Sequence, residues 1–163
     1  MAELLTYLPH YITFLEHVKD KKEKHCLNHM EQNLANALTD IPTVTELAIL
    51  ALYSIFISKP YVGSVQDGSL TEVDLGPLHR DLVKHIEKLI DNLDLILLPE
   101  HIDKAEFLNE GHCKKSLAVQ AIQALIPTLP NIRILLVAFL TGAHKGAIHF
   151  SKEFNSADDE PGN

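Results

Sequence analysis

The chain has 163 residues, 46% of them apolar and 22% charged. These are ordinary globular proportions, and the length is enough to bury a core without disulfide or metal staples. Its 22 acidic against 14 basic residues give a formal charge of -8, which repels phosphate backbones and argues against non-specific nucleic-acid binding by this domain.

Two cysteines, Cys26 and Cys113, make no disulfide framework, and Met1-Ala2-Glu3 lacks the basic start of a secretion signal. A reducing intracellular compartment, cytoplasmic or nuclear, is therefore expected. The longest strongly apolar run, Ile134 to Leu140, falls well short of the roughly 20 residues that a bilayer span requires, so no membrane association is expected.

In chain order, Leu4, Leu5, Leu8, Tyr11, Ile12, Leu15 and Val18 recur at three- and four-residue steps, the period of a helix, and Pro9 predicts a start or kink within it. The run Lys19, Lys21, Lys22 and Lys24 is interrupted by Asp20 and Glu23 and reads as a solvated helix end. A second stripe, Leu27, Met30, Leu34, Ala37 and Leu38, is expected to stop at Asp40-Ile41-Pro42. Thr43 and Glu46 have the spacing of a capping box, opening a helix to about Ser58 that is apolar on nearly all sides and is expected to be central, with Pro60 ending it.

Residues 60–76, with three glycines, predict a surface loop, and Pro77 sits where a helix's first turn tolerates proline. Leu78, Leu82, Ile86, Leu89, Ile90 and Leu93 form the cleanest amphipathic stripe. Residues 99–115 read as a loop, Ser116 as the cap of a short helix to Ile126, and Pro127 and Pro130 as a break before a last helix from about Asn131 to Phe154. Gly142 and Gly146 share a face of that helix and suit close helix approach. The polar tail 155–163 is expected to be disordered. The fold class is all-α: a single-domain bundle (1–154) of about six helices around segment 43–58.

Two residue sets carry possible chemistry. His25 and His29, four apart on a supposed helix, with Cys26 between them, have zinc-ligand spacing, but Cys26 stands where a zinc protease needs its glutamate base. A third ligand would come from His10, His17, His112 or Cys113. The bland reading, a polar face carrying histidines and no cofactor, competes with zinc. The second set, Arg80-Asp81-Leu82-Val83-Lys84-His85, resembles the signature of HEPN ribonucleases, which are also helical bundles. That resemblance implies that His85 and Arg80 act on the RNA 2′-hydroxyl and phosphate, as a near-neutral base and a fixed cation. The alternative is the solvent face of an amphipathic helix. Glycine-rich phosphate loops and the GxSxG elbow are absent.

A broader likeness rests on His29-Met30-Glu31-Gln32-Asn33, Asp40 through Leu47, Ala51-Leu52-Tyr53 with Lys59-Pro60-Tyr61, and Leu75 through His79. It continues in His85-Ile86, Asp91-Asn92, Val137 through Leu140 with Gly142-Ala143, and Phe150 to Phe154. The chain resembles a segment of large, multi-copy, mobile-element-like proteins of mushroom-forming fungi. The likeness spans about Leu27 to Phe154 and lacks the tryptophans expected near 115 and 148. It implies one helical module of a longer protein, nuclear or cytosolic, and carries no active site with it. The leading expectation is a non-catalytic scaffold or protein-interaction domain with a protein partner not identified by the sequence. On that expectation, alanine at Arg80 or His85 leaves fold and activity unchanged.

Overall fold

The structure, a computed structural model, describes residues 2–22, 24–66, 71–105 and 116–155. His112 and Cys113, most of the expected 99–115 loop, and the tail from 156 onward lie outside the described residues. Among those residues there are ten α-helical segments and no strand, so the fold is all-α. A single buried cluster joins residues from every part of the chain, from Leu5 to Ala147.

Helix α1 (Ala2–Thr6) and α2 (Leu8–Lys21) meet at Tyr7, with Pro9 in the first turn of α2, where its missing N–H has no partner to lose. Their stripe buries Leu5, Leu8 and Leu15, while Tyr11 lies on the exposed side with Tyr7 and Phe14.

Helix α3 (His29–Thr39) is opened by a capping box in which the Asn28 side chain accepts from the Glu31 amide and Glu31 returns to the Asn28 amide. Lys22, from the end of α2, pairs with the same Glu31 carboxylate. The expected stripe of α3 holds in part: Leu38 is buried and Leu27 and Ala37 are half-buried, whereas Met30 is 81% exposed and Leu34 is exposed as well. Ala35, outside that stripe, is turned partly inward.

Helix α4 (Ile41–Tyr53) starts two residues before the expected cap. Asp40, not Thr43, is the N-cap, and its carboxylate accepts from the Thr43 amide at 2.9 Å and the Thr43 hydroxyl at 2.6 Å. Pro42 therefore lies in the first turn and breaks nothing. The hydroxyl bond first, then the amide bond, holds the Asp40 carboxyl below its usual range, so the cap is complete above that range and is lost as pH falls through the lowered value. Asp40→Ala is expected to lower the thermal midpoint by a few degrees. Asp40→Asn, which keeps an acceptor oxygen, is expected to restore most of it. Equal midpoints for the wild type and Asp40→Ala would discard the cap.

Pro60 does not end the helix. The chain widens into a π turn over Ser54–Ser58, with the Lys59 amide reaching back to the Ser54 carbonyl, and continues as α5 (Lys59–Gln66). The expected loop over 60–76 is thus largely helical. The next helix, α6 (Glu72–Asp91), begins with a capping box between Thr71 and Asp74 and carries Pro77 inside it. Its stripe buries Leu78, Leu82, Ile86 and Leu89.

Short helices α7 (Asp94–Leu97) and α8 (Ile102–Ala105) flank a 3-10 turn at Pro99–His101 and bury Leu95, Ile96, Leu97, Ile102 and Ala105. Helix α9 (Leu117–Leu125) has Ser116 in the cap position without a side-chain bond from it. It packs on α1 through Val119 and Ile122. After a 3-10 turn at Ile126–Thr128, α10 (Ile132–Asn155) runs along α6 and touches α4.

The centre is the expected one. Segment 43–58 contributes Val44, Thr45, Ala48, Ile49, Ala51, Leu52, Phe56 and Ile57 to the buried set. Among the described residues, two helical runs are by length and composition apolar enough to cross a bilayer. Ile41–Gln66 has mean hydropathy 1.7, with 44% of its most apolar window buried in the fold, and Ile132–Lys152 has 1.3, with 17% buried. Counting only the uninterrupted run 134–140 understated both, because Pro60 does not stop the first and neutral small residues extend the second.

Candidate functional site

Arg80 and His85 stand five residues apart on α6, about 140° around the helix axis. The two side chains therefore leave α6 in different directions. Arg80 is exposed, whereas His85 is 7% exposed and faces the core. Its Nε2–H donates to the Phe56 carbonyl at 3.2 Å.

The local chain explains that bond. In an α-helix the Phe56 carbonyl would receive the amide of residue 60, but proline has none, and His85 supplies a donor from the neighbouring helix. Burial lowers the His85 imidazole to about 4, with the Phe56 carbonyl opposing the shift and the Lys88 cation adding to it. The imidazole is thus held neutral and hydrogen-bonded to backbone. The near-neutral base expected beside Arg80 is corrected on this geometry.

Two further histidines act between elements. His79, also buried, donates from Nε2 to the Ala147 carbonyl of α10 at 3.0 Å, and its Nδ1 accepts from the Tyr61 hydroxyl of α5 at 3.2 Å. His144 of α10 donates to Glu87 of α6 at 2.9 Å. The α6–α10 seam is thus stitched by polar side chains in an otherwise apolar contact. The sequence reading singled out neither His79 nor His144. The available signal was their occurrence inside or beside strongly apolar helical stripes.

The shared helix face expected of His25 and His29 is also corrected. The α-helix begins at His29, and His25 lies before it with φ 47°, the left-handed region. The two residues therefore do not stack one turn apart. Cys26 is exposed, and His29 Nδ1 pairs with the Asn33 side chain at 2.9 Å. Among the described residues no group of three or more His, Cys, Asp or Glu is gathered where a metal ion would sit.

The surface feature that stands out is apolar. A cleft of about 410 Å³ between α4 and α10 is lined by Glu46, Ile49, Leu50, Leu135, Ala138 and Phe139. Tyr53 and Phe139 meet edge to face at its floor side, with ring centroids 5.2 Å apart. Beyond it, Ile134 is 73% exposed, and Val137 and Ile148 are exposed as well. Gly142 and Gly146 lie on the same side of α10, and a Cβ added at either meets no atom within 4 Å. Among the described residues, the close helix approach expected there does not occur. A smaller groove of about 230 Å³ between α2 and α3 mixes apolar Ile12 and Leu15 with Glu16, Lys19, Gln32 and Asn36.

No family model, no curated protein and no solved structure matches the chain.

Proposed function

We propose that the chain is a non-catalytic helical scaffold or interaction domain that engages a protein partner through the open side of α10. The observation that carries this reading is the uncharged stretch from Ile134 to Ala143, solvent-facing on much of its circumference and bordered by the α4–α10 cleft. Exposed apolar area of this kind is retained on a surface chiefly where something covers it. The placement of His85 in the core, away from Arg80, supports a structural use of the residues that had suggested catalysis. The likeness to mobile-element-like fungal proteins would make the domain one module of a longer chain working in the cytoplasm or nucleus.

The test is the double variant Ile134→Asp, Leu135→Asp. Both positions are exposed, so helicity and thermal midpoint are expected to stay near wild type. Binding of a hydrophobic dye, and association with any copurifying protein, are expected to fall at least several-fold. Unchanged dye binding and association would remove α10 as the docking side. RNA cleavage abolished by Arg80→Ala would overturn the non-catalytic reading itself.

A further inference from the structure

The side of α10 that faces away from the bundle has a pattern of its own. Ile134, Ala138, Gly142, Lys145 and Ile148 follow one another at steps of four, four, three and three, so they share one helix face, and all five are exposed. A Cβ added at Gly142 meets no atom within 4 Å, so the backbone there lies open to close approach from outside. On α4, the exposed Glu46 lines the cleft beside Leu135 and Ala138. Among the described residues, neither Glu46 nor Lys145 makes an ion pair. We propose that a second copy of this chain covers this face: two α10 helices cross antiparallel at Gly142, and Lys145 of each reaches Glu46 of the other. This choice of partner rests on the docking side proposed above.

The face is complementary to itself. A two-fold axis beside Gly142 exchanges its two halves. Ala138 then lies against the partner's Lys145, and Ile134 against the partner's Ile148. Because Glu46 flanks Ala138 in the cleft, it stands beside the arriving ammonium, and the same pair recurs across the axis. A parallel crossing would instead set Lys145 against the partner's Lys145 and leave both Glu46 carboxylates unmatched, which like-charge repulsion disfavours. The formal charge of -8 opposes association of two copies, yet no ionisable residue lies between Ile134 and Ala143. The seam is therefore neutral, and the repulsion acts between distant charges that salt screens. Burial of Ile134 and Ile148 at the two ends of the crossing supplies apolar area.

Sedimentation equilibrium of the whole chain between roughly 1 and 100 μM is expected to show a monomer–dimer equilibrium. Glu46→Lys and Lys145→Glu, each alone, place like charges at both symmetric contacts and are expected to weaken the dimer by roughly tenfold or more. Mixed in equal amounts, the two variants present lysine at both positions on one chain and glutamate at both on the other. Their heterodimer has opposite charges at each contact and is expected to regain wild-type strength. Gly142→Leu is expected to weaken the dimer by roughly tenfold or more as well, because its side chain props the two backbones apart. All three positions are exposed, so helicity of the variants is expected to match wild type.

A chain that stays monomeric over the whole range overturns self-pairing. So does a dimer indifferent to Gly142→Leu, or a mixture no stronger than its two components. Dye binding by the dilute monomer separates this from the docking side itself. If it still falls in Ile134→Asp, Leu135→Asp while the wild type is monomeric at every concentration, the face belongs to a different protein. If it does not fall, α10 is not the docking side and self-pairing through it is overturned as well.

Discussion

Phe56→Ala is expected to destabilise the domain by about 3–5 kcal/mol, the usual range for deleting a buried aromatic ring. Phe56 is 1% exposed and is among the largest fully buried side chains. Against a typical total of about 5–15 kcal/mol, the loss is severe enough to populate unfolded chains near physiological temperature. The matched control is Phe14→Ala, at an exposed position on α2, whose expected cost is within about 0.5 kcal/mol. Urea unfolding of the two variants measures the contrast, and similar midpoints would mean that segment 43–58 is not the centre of the core.

His85→Ala is the second large effect, expected to cost about 2–4 kcal/mol at neutral pH. The substitution both empties a buried site and strips the Phe56 carbonyl of the donor that Pro60 cannot replace. Arg80→Ala, on the exposed face of the same helix, is expected to change stability by less than about 0.5 kcal/mol. This separates two residues that sequence reasoning had paired, and it replaces the expectation that alanine at either leaves the fold untouched.

The pH dependence has a definite sign. Below about 6.5 the unfolded chain takes up a proton at residue 85 that the seated ring refuses until pH approaches 4. Stability therefore falls as pH drops through that window, by up to ~3 kcal/mol. Chemical denaturation at pH 7.5 and pH 5 measures it. His85→Gln is expected to show the smaller difference, and an equal difference in both proteins would assign the acid sensitivity to other groups.

Much of the architecture was legible because apolar spacing reports burial directly. The α6 stripe buried where it was expected, and the dense run of Leu47 through Ile57 became the centre. The errors have particular causes. Met30 and Leu34 share a helical period with Leu38, which is buried as expected, and spacing does not show that α3, packed on α2 and α4, would turn Ala35 inward and leave those two outside. Asp40 was read as a stop because Pro42 follows it, although a carboxylate two residues before a proline is equally a start.

Pro60 was read as a terminus because a lost amide ends most helices, and nothing local announces that a histidine 25 positions later will take up the slack. The Arg80–His85 separation was the opposite case. A spacing of five sets the two about 140° apart on a helix, and only the packing of α6 shows that His85 is the one turned to the core. Zinc-like spacing at His25 and His29 presupposed a helix that begins only at the second of them.

The π turn at Ser54–Ser58 amounts to one surplus residue threaded into an otherwise continuous rod. Wound with ordinary α spacing instead, the same five residues would deliver α5 about 100° round from its present azimuth relative to α4, and Tyr61 would swing off His79. The wider turn thus sets the direction from which the peripheral helix meets its imidazole contact.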